Sequence, residues 1–341
     1  MKVFFFSARS YDRESFEAVA RQENLTFTYH LASLSSQNAS ISEGYEAICI
    51  FVNDTCDAEV LRILHRSGVK GILLRCAGFN NVDLKVAKEL GMFVARVPGI
   101  STGIMQIDLA YSPEAVAEHT IALIMTLNRQ IHRAFNRVRE NNFSLAGLLG
   151  FTLHGKTVGI FGTGKIGICT ATILKGFGCN LLGYDVVKNP EFETSLGKYT
   201  STLKELLSQS DIVTLHAPLL DSTRYIINSE TLATMKPGAM LVNTSRGALV
   251  HHQAIIEALK KRHLGGLAID VYEAEEGLFF QNHEGEILDD EVIGRLMTFH
   301  NVLITGHQGF FTRESLYEIA NVTLENLTCL EEGKKCPNAL C

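Results

Sequence analysis

Short apolar runs alternate with longer stretches of helical spacing along almost the whole chain. In a parallel sheet covered on both faces, strands appear as continuous apolar runs. The pattern therefore predicts an α/β protein with doubly wound parallel sheets. The runs are KVFFFSA, EAICIFV, GILLRCAG and MFVARVP in residues 1–98, then TVGIFG, NLLGYD, DIVTLHAP, AMLVNTS, GGLAIDV and NVLITGH.

The order of these runs predicts two α/β units, the first split in sequence around the second. We expect the first unit at residues 1–109, the inserted unit at 110–308 and a return to the first unit at 309–341. The return is a final helix from about Arg313 to Glu332.

Two helix starts carry capping signals. Ser112-Pro113-Glu114 combines a capping hydroxyl, a proline and an acid, as helix N-termini prefer. Thr202 and Glu205 have the spacing of a capping box. The helix after Ser112 is expected to continue into a basic face, which is either an anion or subunit contact or a solvated surface. This face consists of Arg129, Arg133 and Arg137.

Composition narrows the class of protein. Hydrophobic residues make up 46% and charged residues 20% of the 341 residues, as in soluble globular proteins. The net charge of −6 argues against general nucleic-acid binding. No apolar run reaches the roughly 18 residues of a membrane span, and the apolar N-terminus is too short for a signal peptide. We expect a cytoplasmic protein without a metal site, since no CxxC or HExxH motif occurs among the eight cysteines and twelve histidines.

The segment Gly162-Thr-Gly164-Lys-Ile-Gly167 is the clearest candidate ligand site. A strand-like run precedes it and a helical stretch follows. In dinucleotide-binding folds the first glycine allows a tight turn, the second lets the backbone approach the pyrophosphate, and the third permits close helix–strand packing. The helix N-terminus supplies N–H donors to the phosphates. We predict a dinucleotide site; the alternative is a strand–helix junction without a ligand.

Asp185 ends the next apolar run and indicates which dinucleotide binds. A carboxylate there accepts bonds from ribose hydroxyls and repels a 2′-phosphate, which favours NAD over NADP, although Lys188 weakens the preference. His216 and Pro218 end another run where a parallel sheet binds cofactors, or they form a structural turn. Asp270 accepts from the nicotinamide carboxamide, or serves as a cap or turn residue.

Arg246 in NTSRGAL, Glu275 in IDVYEAEE and His307 in ITGHQGFF supply the groups needed to reduce a carbonyl. The arginine can hold an acid group and polarise the carbonyl, and the histidine can donate the proton while Glu275 stabilises the imidazolium. Glu273 competes with Glu275, but it faces the other side of an extended segment. Alone, His307 would be a strand-end histidine and Arg246 a surface residue.

With these residues the chain resembles the D-isomer-specific 2-hydroxyacid dehydrogenases, and within them the bacterial-type fermentative D-lactate dehydrogenases. The resemblance covers nearly the whole length. The segments that carry it are CIFVND, LRCAGFNNVDL, AYSPEAVAEH, MTLNRQIHRA, FSLAGLLGFT, GKTVGIFGTGKIG, ILKGFG, VNTSRGALV, AIDVYEAEEGLFF, DDEV, NVLITGHQGFFTRESL and CPNAL.

The resemblance implies a Rossmann NAD-binding domain inserted into a flavodoxin-like substrate domain. Arg246, Glu275 and His307 match the catalytic set, which selects Glu275 over Glu273. The matching substrate residues are Ala77 and Gly78, whose backbone binds the carboxylate, Tyr111 at the mouth of the cleft, and Phe310 against the short side chain. The predicted cofactor residues are Gly162, Gly164, Lys165, Ile166, Gly167, Asp185, His216, Pro218, Thr244 and Asp270.

Residues 99–109, GISTGIMQIDL, depart from the family pattern, in which MFVARVP runs directly into AYSPEAVAEH. The insert is either a lid or specificity loop, a solvent-exposed loop, or a sequence artefact, and it affects the placement of Tyr111.

The reaction implied is NAD-dependent reduction of pyruvate to D-lactate. Rivals are relatives acting on branched 2-keto acids, glyoxylate or phosphoglycerate, and dinucleotide-sensing corepressors that share the fold. The resemblance also implies a homodimer or homotetramer, without nucleic-acid or membrane partners.

Overall fold

The computed structural model describes residues 1–20, 25–98 and 113–341. The chain forms two compact units, Met1–Ser112 with Phe311–Cys341, and Pro113–Phe310. The expected boundaries, after residues 109 and 308, lie three and two residues from these limits. The insert at 99–109 and Tyr111 lie outside the described residues.

Each of the ten predicted apolar runs contains a strand, and two further strands among the described residues, β2 and β8, were not predicted. The strands are β1 Lys2–Phe5, β2 Thr26–Tyr29, β3 Ala47–Ile50, β4 Gly71–Leu74, β5 Phe93–Arg96, β6 Thr157–Phe161, β7 Asn180–Tyr184, β8 Lys198–Tyr199, β9 Ile212–Leu215, β10 Ala239–Asn243, β11 Leu264–Ile269 and β12 Val302–Ile304. The helices are α1 Ser10–Val19, α2 Ala58–Arg66, α3 Leu84–Glu89, α4 Pro113–Arg129, α5 Ile131–Arg139, α6 Lys165–Gly176, α7 Leu203–Gln209, α8 Ser229–Thr234, α9 His252–Lys260, α10 Glu291–Met297 and α11 Arg313–Glu332.

The first unit contains a parallel sheet in the order β2-β1-β3-β4-β5. This is the flavodoxin-like order. Helix α11 returns from the far end of the chain and places Leu324 and Leu327 in one core with Val3, Phe5 and Leu73. The last helix therefore completes the unit that the first strand begins.

The second unit contains a parallel sheet in the order β8-β7-β6-β9-β10-β11-β12. Numbered by appearance within the unit, this is the Rossmann order 3-2-1-4-5-6 with a seventh strand added. The order reverses between β6 and β9, and ligands bind beyond the carboxyl ends of the strands at such a point. The predicted fold class is therefore confirmed in both units.

Local signals were accurate at some helix ends and misleading at others. The hydroxyl of Thr202 accepts from the N–H of Glu205, but the carboxylate of Glu205 accepts from Ser201 rather than from Thr202. The prediction of one helix through the basic face was wrong. Helix α4 ends at Arg129, and Gln130 adopts a left-handed φ of 50° before α5 begins, because that conformation cannot continue a right-handed helix.

Among the described residues, none of the helices has the length and apolarity needed to cross a bilayer.

Candidate active site

Contacts around the glycine turn explain two of its three glycines. Gly162 follows β6 with φ 93°, and a Cβ there would lie 2.6 Å from the N atom of Ala217. A Cβ on Gly167 would overlap the carbonyl oxygen of Gly162. Both residues must therefore be glycine for β6, α6 and the end of β9 to pack this closely.

Gly164 differs from its neighbours because a Cβ there would meet no atom within 4 Å. It is the N-cap of α6 and has no side chain to cap the helix. Lys165 and Ile166 follow in the first turn, where N–H groups have no partner within the helix. The open space is at the Cβ position of Gly164, the glycine that was predicted to let the backbone approach the pyrophosphate.

Asp185 follows β7 and is fixed beside the glycine turn. Its Oδ2 accepts from the N–H of Thr163 at 2.6 Å, and its Oδ1 accepts from the N–H of Val187 at 3.1 Å. Lys188 lies with its Nζ 5.2 Å from the centre of the Tyr199 ring. The contact of Asp185 with the ribose hydroxyls stays a prediction, and Tyr199 accounts for the position of the lysine.

His216 and its neighbours form the other side of the switch point. Burial lowers the pKa of His216 to about 3, which keeps the ring neutral. Its Nε2 lies 2.9 Å from the hydroxyl of Thr214, and its buried Nδ1 has no partner among the described residues. Pro218 is exposed, whereas Thr244 is buried with its hydroxyl 2.8 Å from that of Thr120.

Asp270 is 1% exposed and organises the turn after β12. Its Oδ1 accepts from the hydroxyl of Thr305 at 2.5 Å and from the N–H of Gln308 at 2.9 Å, and its Oδ2 accepts from the N–H of Gly309 at 2.8 Å. The Nε2 of His119 lies 3.2 Å from the Oδ1. Burial opposes ionisation, but the bonds from His119 and Thr305 outweigh it, so the pKa of Asp270 is lowered.

The structure pairs His307 with Glu275. The Nδ1 of His307 lies 2.8 Å from the Oε1 of Glu275, and both side chains are 20% exposed. An ionised carboxylate only accepts, so Nδ1 donates. Within the described chain no hydrogen bond involves the Nε2 of His307, which remains available to a ligand. The rival Glu273 is engaged elsewhere, by the guanidinium of Arg224 and the hydroxyl of Tyr225.

Arg246 follows β10 in an extended conformation with an exposed side chain. Its Nη1 donates to the carbonyl of Ser245 at 2.8 Å, and among the described residues no carboxylate forms an ion pair with it. A Cβ on the next residue, Gly247, would overlap the peptide between Tyr272 and Glu273. The Arg246 segment therefore packs directly on the segment that leads to Glu275.

Two aromatic rings lie near the imidazole of His307. The Phe280 ring lies 5.7 Å from the imidazole, and the buried Phe310 ring lies 6.4 Å away, nearly perpendicular to it. Phe310 therefore lies beside the histidine, and its contact with the substrate stays a prediction.

Ala77 and Gly78 belong to the first unit and follow β4. The Ala77 carbonyl accepts from Arg96 at 2.8 Å, and the Gly78 carbonyl accepts from the thiol of Cys76 at 3.2 Å. In the part of the chain that the structure describes, neither N–H donates a hydrogen bond. Their assignment to the substrate carboxylate stays a prediction.

Sequence reasoning missed His119, Tyr272 and Asp290. His119 interrupts the apolar run of α4, which was the available signal, but its contact with Thr305 joins residues 186 positions apart. Tyr272 and Asp290 lie in two segments that carry the resemblance, AIDVYEAEEGLFF and DDEV, but nothing in the sequence assigned them a role. Across residues 1–20, 25–98 and 113–341, no cluster of side chains is suited to hold a metal ion.

In the second unit a helix begins directly after the glycine turn, and a hydrogen-bonded histidine–carboxylate pair follows strands of the same sheet. Both features are those expected of a nicotinamide-dependent dehydrogenase. Residues 121–309 match the family model described as D-isomer specific 2-hydroxyacid dehydrogenase, NAD binding domain.

Similar proteins agree with this class. The chain is 54% identical to 2-hydroxyacid dehydrogenase A of Aspergillus oryzae, covering 100% of this chain and 95% of that protein. It is 48% identical to the D-lactate dehydrogenase of Escherichia coli over 100% of both chains. The solved pyruvate reductase of Chlamydomonas reinhardtii has a TM-score of 0.91 at 40% identity, over 99% and 98% of the two chains. The chain therefore belongs to the D-isomer-specific 2-hydroxyacid dehydrogenase family, and its cofactor is NAD.

Proposed function

We propose that this enzyme is a D-lactate dehydrogenase that reduces pyruvate to D-lactate with NADH. The observation that carries the proposal is the hydrogen-bonded pair of His307 and Glu275, with the Nε2 of the histidine available. Relatives named D-lactate dehydrogenase and pyruvate reductase support the choice of substrate.

The chemistry follows from three side chains. The guanidinium of Arg246 binds the substrate carboxylate in a bidentate manner and polarises the keto oxygen. The Nε2 of His307 donates the proton that turns the keto oxygen into a hydroxyl, and ionised Glu275 stabilises the imidazolium before that transfer. When bound at the glycine turn, NADH supplies the hydride that the carbonyl carbon receives.

Phe310 is the proposed determinant of substrate size. Its buried ring beside His307 favours the methyl group of pyruvate over longer side chains. A methylene mismatch is worth only about 1–3 kcal/mol, so the preference is graded. Assays with glyoxylate and branched 2-keto acids measure it.

The decisive test is turnover of purified protein with pyruvate and NADH, followed by stereospecific assay of the lactate. D-Lactate formation, with slower reduction of branched 2-keto acids, supports the proposal. L-Lactate, or tight NADH binding without turnover of any 2-keto acid, contradicts it. The latter result is the one expected of a dinucleotide-sensing corepressor.

We further propose that the enzyme is a homodimer or homotetramer. Helix α5 has no buried residue, and large apolar side chains are exposed on it and on the following segment. The guanidinium of Arg137 holds that segment by donating to the carbonyl of Ala146. Exposed apolar side chains of this kind mark subunit contacts. They are Ile131, Phe135, Val138, Phe143, Leu145 and Leu149.

Sedimentation of the wild type and of Leu149→Asp tests the assembly. An oligomer that Leu149→Asp weakens supports it, and a monomeric wild type contradicts it.

All eight cysteines are free, which fits the reducing cytoplasm that a fermentative enzyme would occupy.

A further inference from the structure

Tyr272 lies three residues after β11 and is held rigidly by its side chain. Its hydroxyl donates to the carboxylate of Asp290, with O···O distances of 2.9 and 2.8 Å. The residue is 5% exposed, and its ring packs edge-on against His252 at 4.9 Å. Phe279 and Ile293 complete the same buried cluster. Tyr272 therefore has little freedom to move.

Asp290 is itself fixed by a second role. It is the N-cap of α10, and its Oδ1 accepts from the N–H groups of Val292 and Ile293 at 2.9 and 3.0 Å. The partner of the Tyr272 hydroxyl is thus part of a helix terminus.

The backbone of Tyr272 contacts the segments that carry the proposed catalytic groups. Its N–H donates to the Oε2 of Glu275 at 3.1 Å, while the Oε1 of the same carboxylate accepts from His307. Its carbonyl group is the surface that a Cβ on Gly247 would overlap. The peptide groups on the two sides of the Tyr272 Cα atom therefore orient Glu275 and support the turn that follows Arg246.

We propose that Tyr272, held by Asp290, is a positioning residue that fixes the Glu275 carboxylate against His307 and sets the place of the Arg246–Gly247 turn. The proposal rests on the proposed function. Tyr272 acts through its neighbours and does not touch the substrate. Catalytic groups need to be held to within a fraction of an ångström, and that precision comes from residues behind them.

The test compares Tyr272→Phe with Tyr225→Phe. The first change removes the bond to Asp290 and keeps the ring, and Asp290 still caps α10. The control removes a tyrosine hydroxyl that binds Glu273, the carboxylate that does not pair with the histidine. We expect Tyr272→Phe to lower kcat for pyruvate about three- to tenfold, with an unchanged KM for NADH, and the control to resemble the wild type.

The pH profile separates positioning from a structural role. Pyruvate reduction needs the imidazolium, so its rate falls as the pH rises. A displaced Glu275 stabilises this cation less, so the midpoint of that fall should move to lower pH in Tyr272→Phe but not in the control. Asp290→Asn keeps an acceptor for the Tyr272 hydroxyl and a cap for α10, so this variant should retain most of the wild-type pH profile. Asp290→Ala lacks the acceptor and should show the same shift of the midpoint as Tyr272→Phe.

A second readout does not depend on the substrate. NMR of ring-labelled histidine in the substrate-free protein, with His307→Gln to identify the signal, follows the Nδ1 proton that His307 shares with Glu275. Its resonance should move upfield in Tyr272→Phe and Asp290→Ala, because the hydrogen bond to a displaced carboxylate is weaker. If the wild type reduces no 2-keto acid, the proposed function fails while this resonance still tests the positioning. Lower thermal stability with an unchanged pH profile and an unchanged Nδ1 proton resonance would overturn the inference.

Discussion

Two turns at the edge of the same sheet place a residue in the left-handed region, and they do so in different ways. After β6, Gly162 has φ 93°; after β12, His307 has φ 54°. Glycine adopts this conformation at no steric cost, whereas another L-residue loses about 1–2 kcal/mol. The glycine turn needs little support, but the histidine turn needs contacts that hold it.

Asp270 supplies that support. Its carbonyl accepts from the N–H of His307 at 2.7 Å, and its carboxylate accepts from the next two N–H groups. His119 and Thr305 bond the same carboxylate. The comparison teaches that a turn built on glycine reaches the left-handed region without steric cost, whereas a turn that must present a side chain from that region depends on a buried polar network.

The largest expected effect comes from the side chain that the second turn presents. His307→Gln should lower kcat by roughly 10²–10⁴-fold, because a positioned proton donor is worth that much. The matched control is His283→Gln, since His283 also pairs with a carboxylate, that of Glu286, at 2.7 Å. Steady-state rates with pyruvate and NADH measure both. A loss below about tenfold would remove His307 from the mechanism.

Removing the support should have a smaller effect on the same rate. Hydrogen bonds to charged groups contribute about 1.5–3 kcal/mol, so Asp270→Asn should lower kcat by roughly ten- to a hundredfold. Asp211→Asn is the control, because Asp211 is also a bonded carboxylate but precedes β9 at the other end of the sheet. Equal kcat values for the two variants would show that the turn at His307 does not depend on the Asp270 carboxylate.

A side chain at the glycine turn should weaken cofactor binding because it overlaps neighbouring backbone atoms, not because a supporting contact is lost. Gly162→Ala would push a methyl group against Ala217, so we expect the Kd for NADH to rise at least about tenfold. Gly155→Ala is the control: Gly155 has φ 79° and open space around its Cβ position. It should lose only about 1–2 kcal/mol of stability. Fluorescence titration of NADH and thermal unfolding distinguish the two.

Cofactor choice should depend on the carboxylate fixed beside the glycine turn. Asp185→Ser removes the repulsion of a 2′-phosphate, and the preference for NADH over NADPH should shrink by an amount on the order of tenfold. Asp221→Ser, at an exposed aspartate, should leave the ratio unchanged. Equal use of both cofactors by the wild type would contradict the role of Asp185.

The smallest expected effect concerns acid stability. Burial lowers the pKa of His216 to about 3 and that of His252 to about 4, against about 6.5 in the unfolded chain. Below about pH 6.5 the unfolded chain binds protons that the folded protein does not. The free energy of unfolding should therefore decrease as the pH decreases. His252→Phe should flatten the dependence of Tm on pH between about 7 and 5. His300→Gln, at an exposed histidine, is the control and should leave the slope of Tm against pH unchanged. An unchanged slope in His252→Phe would contradict the prediction.

The sequence predicts the first turn far better than the second. The glycine turn places three glycines within six residues, Gly162, Gly164 and Gly167. Their function depends on the absence of a side chain, which the spacing of glycines in the sequence reveals directly. The histidine turn is assembled from His119, Asp270 and Thr305, and no periodicity relates such distant positions. The resemblance selects Glu275 over Glu273, and the structure adds the physical reason, since Arg224 and Tyr225 hold the other carboxylate.

Helix ends show the same limit. Thr312 caps α11 through the N–H of Ser315, and the helix spans the residues expected of it. The break between α4 and α5 was not predicted, because Gln130 adopts its left-handed conformation without a glycine or proline signal.

The split first unit has a consequence for the order of folding. Its core packs Val3 and Phe5 against Leu324 and Leu327. These two pairs of residues are more than three hundred positions apart in the sequence. During synthesis, strands β1 to β5 emerge first but lack the helix that covers them. The second unit, continuous from Pro113 to Phe310, has all its parts before α11 leaves the ribosome. Because domains generally fold as units, the second unit should fold earlier, and the strands made first should be the last to become protected from hydrogen exchange.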